Sequence, residues 1–379
     1  MDSLEKFAQA KLSELEAQSL RRWLVETDRG ADAMAERNGR TLISFCCNDY
    51  LNLSQHPEVK RAAITATEKF GAGAGASRLV TGNHSLYREL EAALARLKGA
   101  EDACVFGSGY LANLGIIPAL AGPGDLILTD ALSHACLMAG GKLSGAQTLI
   151  FRHNDLSHVA ELLTQRRQQF RHCLILTDGV FSMDGDLAPV GELAALAQSH
   201  DAWLMTDDAH GIGVLADGRG SSAKAGVPLQ MGTLSKAVGG YGGYVCASKA
   251  VTDLIRTRAR TLIYSTGLPP GVVAAAIASL EIMRRDPALC AAPVQKARRF
   301  TRAMNLPEAQ SPIVPLILGD AARALAASSR LEQAGFLVTA IRPPTVPAGT
   351  ARLRFTFTSA HRDDDIDRLA AVLRAAELN

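Results

Sequence analysis

The sequence lacks most of the features that would assign it to a specialised class. Its 379 residues contain no run of 18 consecutive apolar residues, so no helical membrane span is expected. No run of five like charges occurs, and the formal net charge is only +2. Basic residues sit in short clusters such as Arg21-Arg22 and Arg284-Arg285, which gives no general reason to expect nucleic acid. The cysteines (Cys46, Cys47, Cys104, Cys136, Cys173, Cys246 and Cys290) are odd in number and form no C-x-x-C pair. Most lie in apolar runs, which reads as reduced core thiols and argues against a disulfide frame or zinc site. The N-terminal stretch MDSLEKFAQAKLSELEAQSLRRWL is charged and amphipathic, without the apolar core or cleavage site of a secretory leader. A cytoplasmic location is the resulting expectation. Internal repeats and low-complexity linkers are absent as well.

What is present is an ordinary globular composition, 47% hydrophobic and 21% charged. The length exceeds what one hydrophobic core usually holds, so a large domain with a smaller companion is expected. From about residue 90, short β-like runs (DACVFGS, DLILTD, QTLIFR, HCLILTDGV, AWLMTDDA, GYVCAS) alternate with stretches of helical period. That alternation predicts an α/β fold with a mostly parallel sheet flanked by helices. Beyond residue 267 the order becomes helix, then β-α-β-β-α, which suits a small C-terminal α+β domain. The chain is expected to open with a helix, then a turn-rich passage and a short strand, TLISFCC (41–47). The expected division is a helical arm over 1–45, a large domain over 46–266 and a small domain over 267–379.

In open α/β sheets, ligands bind beyond the carboxyl ends of the strands. Four strand ends carry chemistry. FGSGYLANLG (106–115) is a Gly-rich turn into a helix, either an anion cradle or a tight turn needing glycine for geometry alone. TDGVFSMDGD (177–186) brings Asp178 and Ser182 to a polar loop, where each faces a ligand or caps a turn. LMTDDAHG (204–211) ends an apolar strand with Asp207, Asp208 and His210. A buried Asp there needs a cation, and no further ligand at helical spacing supports a metal. GTLSKAVGG (232–240) places Lys236 among small residues.

One cofactor, pyridoxal phosphate, draws these strand ends together: it wants a lysine for the imine, a carboxylate for the pyridine nitrogen and a helix N-terminus for the phosphate. Thr233 and Ser235 can donate to phosphate oxygens. FGAGAGASRL (70–79) contains G-x-G-x-G but follows a helical segment rather than a strand, so a dinucleotide fingerprint is rejected. A flexible loop with Arg78 as an anion contact is the better reading.

NDYLNLSQHP (48–57), SRLVTGNHSLYRELE (77–91), FGSGYLANLG, DALSHACL (130–137), TDGVFSMDGD, DDAHGIG (207–213), GTLSKA (232–237) and LIYSTGLPP (262–270) run in order along the chain. In these pieces the chain resembles the α-oxoamine synthases, a branch of the fold-type I pyridoxal-phosphate transferases. The resemblance implies that Lys236 forms the imine and moves the substrate's Cα proton. It implies that Asp207 pairs with the pyridine nitrogen, that His210 and Ser182 address the phenolic oxygen, and that His134 stacks on the ring. Ser108, Gly109, Tyr110 and Thr233 would serve the phosphate, and Thr266 the phosphate of a neighbouring subunit, which implies a homodimer with shared active sites. The passage TAIRPPTVPAGTARLRFTFTSAH (339–361) is similar to the biotin-pathway members, which join L-alanine to pimeloyl-CoA or a pimeloyl-acyl-carrier protein. Arg354 would then hold the amino-acid carboxylate, with Asn48, His134 and Thr345 also at the substrate. Arg21 would meet the far carboxyl of the pimeloyl donor, or else simply close its helix as a C-terminal cation. The nearest alternative within the family uses glycine and acetyl-CoA. Asp178 stands where glutamate occurs in some members, and its role stays open.

Overall fold

The computed structural model describes residues 2–378. Seven strands build the central sheet. Their order is Asp102–Phe106, Gly243–Ala247, Leu229–Thr233, Trp203–Asp207, Cys173–Asp178, Leu126–Asp130 and Gln147–Phe151. Gly243–Ala247 runs antiparallel to both neighbours, and the other pairings are parallel. Strands such as Cys173–Asp178 and Leu126–Asp130 are buried along their whole length, which is why they read as unbroken apolar runs. Leu229–Thr233 is a strand the pattern did not announce, because Gln230 and Gly232 interrupt its apolar run.

The register sets the site. Asp178 pairs with Asp207, and Asp207 with Met231, so the ends of three parallel strands lie side by side. Gly243, the first residue of the antiparallel strand, pairs with both Phe106 and Thr233. The chain therefore returns into the sheet at the same edge where the parallel strands end.

The C-terminal residues form a second, three-stranded antiparallel sheet in the order Ile313–Gly319, Ala351–Thr356, Thr339–Ile341. Helices Ala321–Gln333 and Asp363–Ala375 follow the expected β-α-β-β-α order, and helix Pro287–Ala303 is an addition to it. Phe45, Phe300, Phe355, Phe357 and Leu369 fill the core of this part.

Within the stretch expected as a helical arm, helix occupies only Ser3–Ala17, with none of its residues buried. The strand expected at 41–47 is present as Arg40–Ser44, whereas Asp28–Arg29 and Met34–Arg37 form further antiparallel strands beside it, and Arg40–Ser44 also pairs in parallel with Phe336–Leu337. Leu42, Ile43 and Phe45 are buried there, so apolar side chains draw this segment into the C-terminal layer. Among the described residues no helix is long and apolar enough to cross a membrane.

Candidate active site

Asp207 closes its strand with both carboxylate oxygens engaged. Oδ2 accepts from Asn113 Nδ2 at 2.7 Å, and Oδ1 accepts from the Ala209 amide at 3.0 Å. Asn113 lies on helix Gly109–Leu120, and its Oδ1 is buried without a partner. Its amide also stands 3.0 Å from the Cys136 thiol. Sequence reasoning missed Asn113: it sits within a mostly apolar helix, and only the packing of that helix reveals its target.

Lys236 follows the strand end on a short turn. Among the described residues its ammonium takes part in no hydrogen bond or ion pair. Burial pulls its pKa below the usual lysine range, Asp207 opposes that pull, and Arg354 adds to it. Lys236 thus shares one electrostatic neighbourhood with Asp207, Asp178 and Arg354.

His134 caps helix Ala135–Ser144, its Nδ1 accepting from the Cys136 amide at 3.3 Å and lying 2.8 Å from the thiol. Its own backbone N–H donates to Asp178 Oδ2 at 2.9 Å. Asp178, left open by the sequence, therefore fixes the turn that delivers His134. Burial first, and then the Asp207 charge, raise the Asp178 pKa well above the usual carboxylate range. Burial likewise lowers the pKa of His134.

A connected set of polar groups faces this cluster. Tyr50 OH lies 2.7 Å from His210 Nδ1 and 3.3 Å from Asn48 Oδ1, and Asn48 Oδ1 also accepts from Arg354 Nη1 at 3.2 Å. Arg354 Nε donates to the Ser182 carbonyl. Burial raises the Tyr50 pKa to about 12, so the phenol stays protonated. Burial and then Lys236 push His210 well below the usual histidine range, so it stays neutral. Tyr50 was another residue the sequence did not single out, since a tyrosine in a turn carries no pattern of its own.

The phosphate-type cradle is built from backbone. Ser108 caps helix Gly109–Leu120, its Oγ accepting from the Leu111 amide at 3.2 Å, and the first N–H groups of a helix have no intrahelical acceptor. A Cβ on Gly109 would stand 3.3 Å from Thr233 Oγ1, and one on Gly243 would meet the Ser108 carbonyl oxygen at 2.4 Å. Only glycine permits that approach of the strand to the helix start. Thr233 Oγ1 donates to the Gly242 carbonyl at 2.8 Å and lies 2.7 Å from Ser235 Oγ. Tyr110 is largely exposed at the same helix start.

Three expected residues stand apart from this cluster. Arg21 pairs with Glu16 at 2.8 Å and lies over the Trp23 ring. Thr345 accepts from Arg22 at 3.2 Å. Thr266 is exposed and bridges to Ser77. Arg78 is not an available anion contact. Its guanidinium is committed to Glu91 at 2.7 Å, to Asn83 and to the Val105 carbonyl, and it lies over the Tyr87 ring.

The residues present suit pyridoxal phosphate. A buried carboxylate for the ring nitrogen, an unpaired lysine, a flat imidazole and a helix start with a glycine at closest approach are the parts the group needs.

The aminotransferase class I and II family profile matches residues 40–373. A relative from Parvibaculum lavamentivorans, provisionally named 8-amino-7-oxononanoate synthase, is 68% identical over 99% of this chain and 97% of its own length. An 8-amino-7-oxononanoate synthase from Methylocella silvestris is 65% identical over 89% of this chain and 97% of its own. Among solved structures, a serine palmitoyltransferase from S. paucimobilis with a bound pyridoxal phosphate–myriocin adduct matches with TM-score 0.92. It is 30% identical, and the match covers 100% of both chains.

Proposed function

From the premise that the chain belongs to the α-oxoamine synthase branch of the class I and II aminotransferases, pyridoxal-phosphate acyltransferases of fold type I, we propose that it is an 8-amino-7-oxononanoate synthase. The reaction joins L-alanine to a pimeloyl thioester, carried by CoA or an acyl-carrier protein, and releases CO2 and the thiol.

The observation that carries the reading is Arg354. Arg354 is buried, only 6% exposed as a residue, yet among the described residues it has no carboxylate partner. A buried cation without a counter-ion is costly, and the missing anion fits an amino-acid carboxylate held bidentately. The names of the relatives at 65% and 68% identity favour alanine and a pimeloyl donor over other pairs.

Bound at this site, pyridoxal phosphate supplies an electron sink for the charge left on the alanine Cα. Asp207, held by Asn113, keeps the ring nitrogen protonated. Lys236 would be the base: burial favours its neutral amine, which can accept the Cα proton. Arg354 and Asn48 would orient the carboxylate, and His134 would supply a flat imidazole to the cofactor's ring. His210, locked by Tyr50, and Ser182 would address the phenolic oxygen. The Ser108–Tyr110 helix start and Thr233 would hold the phosphate. The Cα–acyl bond would form as the C–S bond breaks and the thiolate leaves to take a proton from solvent; the carboxylate is then lost as CO2, and Lys236 returns its proton to Cα.

Arg21 and Thr345 belong to the donor end of the site. Arg342 donates to the Ser19 and Arg21 carbonyls, tying the segment after the first helix to the C-terminal part. Thr266 would reach the phosphate of a second copy, making the enzyme a homodimer with shared sites.

The test is a panel: L-alanine, glycine and L-serine, each with pimeloyl-CoA, pimeloyl-acyl-carrier protein, acetyl-CoA and palmitoyl-CoA, products identified by mass spectrometry. Turnover of alanine with a pimeloyl donor above every other pair is expected. Preferred turnover of glycine with acetyl-CoA, or of serine with palmitoyl-CoA, overturns the substrate assignment.

A further inference from the structure

His153 lies outside the cluster described above, yet it bridges two elements that the cluster depends on. Its Nδ1 is 2.9 Å from Asp130 Oδ1 and its Nε2 is 2.8 Å from Asp186 Oδ2. With a carboxylate at each nitrogen, the ring serves as a double donor. Burial opposes that charge, but the two carboxylates outweigh it and raise the His153 pKa to about 10. Its ring stands edge-on to Phe181, centroids 4.4 Å apart.

Asp130 organises one side. Its Oδ1 also accepts from the Leu132 amide at 2.8 Å, and its backbone carbonyl accepts from the Ser133 amide at 3.1 Å. These bonds shape the turn that ends at His134. Asp186 belongs to the other side, a compact loop in which the Phe181 amide donates to the Asp186 carbonyl at 3.0 Å. Asn154 fastens both carboxylates, its backbone N–H to Asp130 at 2.8 Å and its side chain to Asp186 at 2.9 Å.

That loop is gripped from the opposite face by the C-terminal sheet. Arg352 pairs with Asp184, and Arg354 donates to the Ser182 carbonyl. A Cβ at Gly185 would lie 2.2 Å from the Ile313 carbonyl oxygen, so the loop lies hard against the first strand of that sheet. The loop is thus an intermediary whose position decides where Arg354 and Ser182 sit relative to His134.

We propose that His153 is a positioning residue: by clamping Asp130 to Asp186 it sets the distance between the His134 turn and the Ser182 loop, and with it the fit of the amino-acid substrate. This inference rests on the site assignment given above and adds a determinant that touches neither substrate nor cofactor.

The test uses holoenzyme of wild type, His153→Ala, His153→Gln, Asp186→Asn and the double variant His153→Ala/Asp186→Asn. Steady-state kinetics are measured with the preferred substrates, and the cofactor absorbance is titrated against pH without substrate. For His153→Ala the amino-acid KM should rise about tenfold, the cost of losing one or two charge-assisted bonds. The thioester KM should stay within about twofold of wild type, and the cofactor titration should shift by about half a pH unit or more. The double variant should be no worse than His153→Ala, because both changes open one clamp. Lowered thermal stability with unchanged amino-acid KM and unchanged titration would overturn the proposal, as would additive losses in the double variant. If the alanine variant does not fold, His153→Gln, which can still donate one bond, carries the same comparison at smaller amplitude. A shifted titration together with a substrate panel that fails for alanine sinks the substrate assignment and leaves the clamp standing.

Discussion

The ion pair between Lys98 and Asp208 offers a quantitative test of how the catalytic strand end is held. Both side chains are fully inaccessible, with Nζ 2.7 Å from Oδ2. Lys98 also donates to the Arg219 carbonyl, and Asp208 Oδ1 accepts from the Ser221 amide at 3.0 Å and its hydroxyl at 2.7 Å. The pocket admits nothing larger: a Cβ at Gly220 would sit 1.7 Å from the Asp208 carboxylate, and one at Gly211 2.0 Å. Lys98→Met removes the cation and leaves Asp208 buried, with only Ser221 to compensate. Losing one partner of such a pair costs about 3–5 kcal/mol. Asp208 adjoins Asp207 in sequence, so relaxation there should also weaken cofactor binding. Denaturant unfolding of the variant, followed by circular dichroism, should show that loss. Lys98→Met/Asp208→Asn should recover part of it, because no unpaired charge remains. A loss below about 1 kcal/mol in Lys98→Met, the scale of an exposed pair, would refute the reasoning.

Three further outcomes follow from the same geometry. Gly243→Ala should push the Ser108–Gly109 helix start away and raise the dissociation constant for pyridoxal phosphate about tenfold or more, measured by equilibrium dialysis. Asn113→Ala strips Asp207 of its side-chain donor, and kcat should fall by about ten- to a hundredfold, matching the worth of a hydrogen bond to a charge. His361 is buried, its Nδ1 accepting from the Thr358 amide at 2.9 Å and its Nε2 donating to the Ser44 carbonyl at 3.1 Å, and burial pulls its pKa to about 4. Its unfolded counterpart binds a proton near pH 6.5, so its contribution is complete above that value and is lost as pH falls toward 4, at about 1.4 kcal/mol per pH unit. Denaturation midpoints between those limits should fall less steeply in His361→Gln.

Much of this was legible in the residues themselves. Apolar strands ending in charged or small residues announced the sheet, and Asp207, His210 and Lys236 fall where its strand ends meet. Asn113, Tyr50 and His153 were not legible as functional residues. Each acts through a partner far away in the chain, Asp207, His210 or Asp186, and no local spacing encodes such a contact. The strand Leu229–Thr233 escaped notice because periodicity fails where a glycine must pass beneath a tyrosine: Tyr244 Oη would lie 2.4 Å from a Cβ at Gly232. Arg78 misled for a related reason, since its neighbours in sequence are small and flexible while its true partners, Glu91 and Tyr87, lie on the following helix. Of the strands over residues 28–44, only the apolar run of Arg40–Ser44 was visible; Asp28–Arg29 and Met34–Arg37 are short and polar, and they pair locally with each other and with Arg40–Ser44.

The central claim is that Lys236 is the covalent anchor of pyridoxal phosphate. Borohydride reduction of the holoenzyme, followed by digestion and peptide mass spectrometry, tests it directly. A stable pyridoxyl label on the peptide containing Lys236, and none in Lys236→Ala, is the expected result. A label on another lysine, or an undiminished label in Lys236→Ala, would contradict it.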